Sequence, residues 1–182
     1  ALVLLAACTA PAKRAEAPVS QVLFVCEHGN VKSLMAASYF NQRAQERGLP
    51  FRAVSRGSAP NSNTVPPVIV ENLRGDGFDV AAFHPIAVSR SDVSASRHVV
   101  TIGIELPTAA RVAGMTPEQW NDVPPASVDY GAARASLRNH VERLVEELVV
   151  VDRLPLVERV AQAVGPPDVA ALADVPHRPA GG

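Results

Sequence analysis

Residues 22–33 read VLFVCEHGNVKS, and this stretch decides the fold. It starts as an apolar run, ends that run on Cys26, and passes through a small polar loop into helix-forming sequence. A short run rich in Val, Leu and Phe is typical of a strand that is buried on both faces of a parallel sheet. The sequence therefore predicts a strand over residues 21–26 with a thiol at its carboxyl end.

The polar loop after this strand has the properties of an anion-binding site. Gly29 allows a backbone turn that a Cβ would resist, and Asn30 can hold a strained turn and tolerates left-handed geometry. The N–H groups of such a loop can converge on one point, and the following helix start adds free donors and a partial positive charge. The predicted phosphate-binding residues are Glu27, His28, Gly29, Asn30, Val31 and Lys32.

The residue types in the loop also indicate nucleophilic chemistry. A positive field favours the thiolate of Cys26, which is the reactive form of cysteine. Lys32 brings a cation to the anion, and Ser33 can donate a hydrogen bond to the thiolate or assist its departure. A protonated His28 could offset the negative charge of Glu27 and help hold the thiolate. Cys26, Lys32 and Ser33 are therefore candidate catalytic residues, and a buried structural thiol is the alternative interpretation of Cys26.

The rest of the chain alternates helices with strands. Predicted helices cover residues 31–47, about 64–74, 129–149 and about 155–164. Predicted strands cover residues 21–26, 50–55 and 97–104, with a fourth extended piece near 119–124. Residues 75–89 are expected to form a turn, a short extended piece and a loop. This order favours an α/β three-layer sandwich in which a four-stranded parallel sheet carries helices on both faces. Ligands of such sheets bind beyond the carboxyl ends of the strands, where Cys26 is expected.

The stretch around Cys26 resembles the phosphate-binding loop of low-molecular-weight protein tyrosine phosphatases and of the related phosphatase-type arsenate reductases. The matching residues are Cys26, Gly29, Asn30, Ser33, Met35 and Ala36. Other similar segments are 54–57, 78–80, 84–85, 97–102 and 120–125. The resemblance covers about residues 20–150, and it implies this family's fold and a cysteinyl-phosphate formed at Cys26.

Two departures from the family's pattern fall on catalytic positions. Lys32 stands where the family has an arginine, and a lysine cannot offer the planar fork that binds two phosphoryl oxygens at once. The family's general acid is an aspartate in an Asp-Pro pair, and an ungapped alignment places Pro124 there. Asp122, two residues earlier, is the predicted general acid, with Asp129 as a more distant candidate. The alternative interpretation of Asp122 is that it caps a turn.

Three functions are compatible with these residues. The first is a phosphatase that acts on a tyrosine phosphate or a small phosphoester through Cys26. The second is an arsenate reductase, for which an external thiol would have to resolve the arsenic adduct. The third is a catalytically impaired relative that binds a phosphoprotein or another oxyanion. No cofactor is predicted, and the histidines show no metal-ligand spacing.

The termini and the composition complete the sequence-based picture. The chain has 182 residues, 47% of them hydrophobic, and a net charge of -1, which suits one α/β domain and gives no indication of a nucleic-acid partner. The run ALVLLAAC resembles the end of a lipoprotein signal in which Cys8 would be lipidated. The predicted location is therefore the periplasmic side of the bacterial envelope, on a lipid anchor, with a cytoplasmic protein as the alternative. The predicted organisation is a signal remnant at 1–8, a flexible tether at 9–20, the phosphatase-like domain at 21–150, and a short helix with a disordered tail at 151–182.

Overall fold

Four parallel strands and the helices that connect them build the part of the chain that the structure describes. The structure is a computed structural model, and it describes residues 19–153. Cys8, the predicted signal remnant, most of the predicted tether and the predicted helix at 155–164 lie outside the described residues.

The order of elements matches the predicted alternation. The strands are β1 (Ser20–Cys26), β2 (Phe51–Gly57), β3 (Ser96–Ile102) and β4 (Glu118–Trp120). The α-helices are α1 (Lys32–Glu46), α2 (Pro67–Gly75), α3 (Arg90–Ala95) and α4 (Tyr130–Arg153), and a 3₁₀ turn covers Thr108–Ala110. All strand pairs are parallel, in the order β2-β1-β3-β4, so β1 is a central strand.

Strand β1 is buried on both faces, as the apolar run predicts. Phe24 packs on one face within the core cluster that includes apolar residues of α1, α2 and α4. Leu23 and Val25 pack on the other face with Val93 of α3. Because successive side chains of a strand point to opposite faces, one run of residues serves both layers. The predicted α/β sandwich with helices on both faces is confirmed.

The structure differs from the prediction mainly in short elements and at the ends of elements. Helix α3 is too short for apolar periodicity, and Val93 is its one buried residue. Its start is marked by a capping box, because Ser89 Oγ accepts from Asp92 N–H at 3.1 Å and Asp92 Oδ2 accepts from Ser89 N–H at 2.9 Å. Strand β4 is shorter than the predicted extended piece, and α4 continues past residue 149 to Arg153.

Strand β2 lies at one edge of the sheet, and a side chain of α1 occupies part of that edge. Asn41 Nδ2 donates to Ala53 O at 3.1 Å, and Ala53 N–H donates to Asn41 Oδ1 at 2.7 Å. One amide side chain therefore satisfies both backbone groups of an edge residue.

None of the helices in residues 19–153 combines the length and the apolarity that a bilayer crossing needs.

Candidate active site

The thiol of Cys26 lies at the carboxyl end of the central strand and faces two hydrogen-bond donors. Gly29 N–H donates to Cys26 Sγ at 3.3 Å, and Ser33 Oγ lies 2.9 Å from the same sulfur. A thiolate can only accept, so in that state the Ser33 hydroxyl donates to it. Cys26 is buried, with 4% of its surface exposed. The structure thus brings together Cys26, Gly29 and Ser33, which the sequence analysis places in one site.

A second buried hydroxyl, which the sequence did not nominate, supports Ser33. Ser55 Oγ lies 2.8 Å from Ser33 Oγ and 3.0 Å from Gly29 O. Ser33 Oγ also lies 3.3 Å from Arg56 O. Each hydroxyl has one proton to donate. When Ser33 donates its proton to the thiolate, it no longer donates to Arg56 O, and Ser33 Oγ can then accept a hydrogen bond from Ser55. The signal that could have identified Ser55 is a small polar residue on the buried face of β2, where Ala53 and Gly57 are its neighbours.

Two glycines in contact set the height of the loop above β2. Gly29 has a φ of +75°, and a Cβ on it would lie 2.5 Å from Gly57 N. A Cβ on Gly57 would in turn lie 2.7 Å from His28 C. No residue other than glycine in 19–153 has a positive φ, so the left-handed turn lies at Gly29 and not at Asn30. Asn30 instead ties the loop to the segment before α2, because its Nδ2 donates to Thr64 O at 3.0 Å.

The outer side of the loop carries His28 and Glu27. His28 Nδ1 is 3.0 Å from Ala59 O, and a carbonyl can only accept, so this nitrogen carries a proton. His28 Nε2 lies 3.3 Å from Asn61 Nδ2 and 3.8 Å from Glu27 Oε2. The imidazole is therefore held by the segment after β2, beside a carboxylate at the rim of the site.

The loop forms one side of a cavity of about 390 Å³. Lys32 lines this cavity together with Cys26 and residues of the loop. Val31, at the start of α1, has no side-chain cap, so the N–H groups of the first turn can serve an anion. The rest of the cavity lining is largely apolar, and it includes Pro66, Val68, Ile69, Ile102, Pro125 and Ala126. The cavity thus joins a loop with free backbone donors to a largely apolar lining.

Asp122, the predicted general acid, is not among the residues that line this cavity. Its Oδ1 lies 2.7 Å from His140 Nε2 on α4, and its side chain is 69% exposed. The His140 hydrogen bond is the main cause that holds the pKa of Asp122 below its ordinary value. The ring of His140 stacks on Trp120, with centroids 4.6 Å apart. Asp129 caps the start of α4, because its Oδ1 accepts from Ala132 N–H at 2.8 Å.

Residues 19–153 contain one free cysteine, Cys26, and they contain no group of three or more side chains that could hold a metal ion.

Known proteins similar to this chain share its fold. The family model described as low molecular weight phosphotyrosine protein phosphatase matches residues 21–124. YfkJ from Bacillus subtilis superposes with a TM-score of 0.66 at 19% identity, covering 76% of this chain and 99% of that one. A low molecular weight protein tyrosine phosphatase from T. tengcongensis gives a TM-score of 0.55 at 20% identity, covering 70% and 99%.

A thioredoxin-dependent arsenate reductase from Corynebacterium glutamicum gives a TM-score of 0.60 at 20% identity. That match covers 74% of this chain but 64% of the reductase, so the chain spans less than two thirds of its length. Among curated proteins, no sequence matches the chain. The structural likenesses show the shared fold, and the match to the family model confirms the resemblance seen in the sequence.

Proposed function

This chain belongs to the low molecular weight phosphotyrosine protein phosphatase family, and we propose that it hydrolyses a phosphomonoester through a phosphorylated Cys26. The observation that carries the proposal is the position of Cys26 Sγ. The sulfur has a backbone donor at 3.3 Å and a hydroxyl at 2.9 Å, and it lies in a cavity that Lys32 also lines. These groups favour a thiolate and an oxyanion at the same place.

The reaction proceeds in two displacements. The Cys26 thiolate attacks phosphorus, a sulfur–phosphorus bond forms, and the bond to the leaving oxygen breaks; that oxygen takes up one proton. Water then attacks phosphorus, the sulfur–phosphorus bond breaks, and inorganic phosphate leaves. Ser33 stabilises the sulfur when it departs as a thiolate, because its hydroxyl is already within hydrogen-bond distance.

Lys32 supplies the positive charge that the phosphoryl oxygens need. As a point charge it contacts one oxygen at a time, whereas an arginine binds two. We therefore expect slow turnover in the wild-type protein. Lys32→Arg should raise kcat by about tenfold or more if the fork reaches both oxygens.

The test is hydrolysis of p-nitrophenyl phosphate from acid to neutral pH. Wild type should turn over, Cys26→Ser should lose at least about a thousandfold in kcat, and Lys32→Arg should exceed wild type. Acid-quenched wild type should carry a phosphoryl group on Cys26, detected by mass spectrometry. Ser58→Ala is the matched control, because this exposed hydroxyl lies beside the loop at 3.3 Å from Glu27 O. Absence of turnover in both wild type and Lys32→Arg would sink the phosphatase proposal.

A second candidate function is binding without turnover, and the position of Asp122 favours it. The carboxylate is paired with His140, so it would have to exchange that hydrogen bond for a place in the cavity before it could protonate a leaving group. In a binder, inorganic phosphate protects Cys26 from alkylation although no substrate is hydrolysed. Production of arsenite from arsenate with an added thiol would instead support the reductase function.

The role of Asp122 as general acid stays a prediction, and it has its own test. An acid matters most for substrates with poor leaving groups. Asp122→Asn should therefore slow the hydrolysis of phenyl phosphate more than that of p-nitrophenyl phosphate. Equal rates of wild type and Asp122→Asn on both substrates would remove Asp122 from the mechanism.

We also propose that Cys8 carries a lipid that anchors the protein at the bacterial envelope. The support is the sequence LAAC at residues 5–8. Labelled palmitate should enter the protein made in a bacterial host and should be lost in Cys8→Ala. Labelling that persists in Cys8→Ala would refute the anchor.

A further inference from the structure

Gly103 follows β3 and lines the same cavity as Cys26 and Lys32. Its φ is +67°, in the left-handed region that favours glycine. Its N–H donates to Trp120 O at 3.1 Å, so the neighbouring strand β4 holds its backbone in place. The position of this residue relative to the cavity is therefore fixed by the sheet.

The ammonium of Lys32 occupies the space that a side chain at position 103 would fill. A Cβ built on Gly103 would lie 2.9 Å from Lys32 Nζ, closer than real Cβ atoms approach other atoms. Within residues 19–153, Lys32 has no ion-pair or hydrogen-bond partner, and beyond residues 102–104 its Nζ is the one heavy atom within 4 Å of a Cβ built on the exposed Gly103. A lysine has a flexible stem, and its ammonium is a single point charge whose effect depends on where it lies.

We propose that Gly103 is a positioning residue: because it has no side chain, the Lys32 ammonium can lie beside the end of β3, next to the anion site. The inference rests on the proposed function, because it assigns the position of the ammonium beside Gly103 to the same anion site. The space beside Gly103 explains how the single flexible charge of Lys32 can lie close enough to bind the oxyanion. A Cβ at position 103 would take the space in which the ammonium lies, so the flexible Lys32 side chain would have to move.

A second glycine provides a matched comparison. Gly114 has a φ of +78°, in the same left-handed region, but a Cβ on it would meet nothing within 4 Å. It is exposed, and it does not line the cavity. Gly103→Ala and Gly114→Ala therefore impose a similar backbone strain, and Gly103→Ala alone affects Lys32.

The charge at Cys26 can be measured without any turnover. Iodoacetate is an anion and iodoacetamide is neutral, and both alkylate the thiolate. The ratio of their rate constants cancels the thiolate fraction and reports the local positive potential. The experiment uses the full chain, with alkylation of the Cys26 peptide followed by mass spectrometry so that Cys8 does not contribute.

We expect Lys32→Met to lower the iodoacetate-to-iodoacetamide ratio by about tenfold and Gly103→Ala to lower it by about fivefold, while Gly114→Ala leaves it unchanged. In the Lys32→Met background, Gly103→Ala should lower the ratio no further, because the charge it displaces is gone. If Gly103→Ala does not fold, Gly103→Asn carries the same expectation, since asparagine tolerates left-handed geometry.

Two results would overturn the inference. One is a ratio that Gly103→Ala and Gly103→Asn leave at the wild-type value. The other is an equal fall in the presence and absence of Lys32, which would show that position 103 acts through the backbone alone. Failure of the proposed function looks different, because the ratios then follow the expected pattern while no variant hydrolyses p-nitrophenyl phosphate.

Discussion

Two segments border the cavity at the carboxyl edge of the sheet, and they are held in different ways. The loop at 27–31 is held by close contacts with buried groups. Gly29 packs against Gly57, and Ser55 and Ser33 form a buried chain of hydroxyls beneath it. The position of the loop depends on backbone atoms and on side chains that water does not reach.

The segment at 121–129 is held at one end by His140 of α4 and at the other by Asp76, the residue that follows α2. Asp122 pairs with His140 in an exposed contact. Just after the segment, Tyr130 OH donates to Asp76 Oδ2 at 2.8 Å, and Asp76 also accepts from Tyr39 at 2.7 Å. Residues 125–127, between these anchors, line the cavity. The loop is therefore held by buried groups, whereas the segment at 121–129 is held partly by an exposed pair that pH and salt can weaken.

The substitution expected to disturb the loop most is Gly29→Ala. The new Cβ would lie 2.5 Å from Gly57 N, on a backbone with φ +75°. We expect the free energy of unfolding to fall by about 3 kcal/mol or more, from backbone strain and overpacking together. Chemical denaturation measures this. Gly48→Ala is the control, since Gly48 has a φ of +63° but nothing within 4 Å, and it should lose only about 1 kcal/mol.

Ser33→Ala tests the same region without disturbing its backbone. Removing a hydroxyl 2.9 Å from Cys26 Sγ takes away a donor to the thiolate. The rate of alkylation of Cys26 by iodoacetamide at neutral pH should fall by about tenfold, as expected for the loss of a hydrogen bond to a charged group. Ser58→Ala is the control. An unchanged rate in Ser33→Ala would mean that Gly29 N–H and the helix start suffice to stabilise the thiolate.

Tyr130→Phe tests the buried hydrogen bond to Asp76 that holds one end of the segment at 121–129. It removes a donor to Asp76, whose side chain is 6% exposed, and should lower the free energy of unfolding by about 1 kcal/mol. Burial raises the pKa of Tyr130 to about 12. The folded pKa thus exceeds the unfolded value of about 10, so this contribution is present below pH 10 and is lost as pH rises toward 12.

The difference in stability between wild type and Tyr130→Phe should accordingly shrink above pH 10. Ser136→Ala is the control on the same helix, because Ser136 Oγ is buried and has no partner among the described residues. A difference that stays constant through pH 12 would mean that the tyrosine hydroxyl does not contribute as a buried donor.

The smallest expected effect on the free energy of unfolding comes from breaking the exposed pair of Asp122 and His140. Asp122→Asn should cost less than about 1 kcal/mol, because solvent screens a side chain that is 69% exposed. His140 lowers the pKa of Asp122, so the contribution is present above the unfolded pKa of about 4 and disappears as pH falls through the folded pKa. Asp79→Asn is the control, because the exposed Asp79 carboxylate accepts from Ala81 N–H at 3.1 Å and has no ion-pair partner within residues 19–153. A loss that persists at pH 2, or in 1 M salt, would contradict an electrostatic pair.

The same contrast explains what the sequence could predict. Cys26 and the loop were predictable because an apolar run, a glycine and a helix start are local signals. Helix α3 and strand β4 were harder, because six and three residues are too few to show a periodicity. The surroundings of Asp122 could not be predicted, since its partner His140 lies 18 residues away on a different element. Ser55 was missed because its partners become neighbours only when β1 and β2 pair.

The amide of Asn41 affects whether the edge of the sheet can pair with a strand from another copy of the protein. An edge strand with free backbone groups is a template for strand addition and for aggregation. At Ala53 both groups are already engaged by Asn41, so an incoming strand would first have to displace that side chain. A side chain of a helix thus closes the edge of β2 to strand addition at its middle, in addition to the charged Arg52 and Arg56 that the strand itself carries.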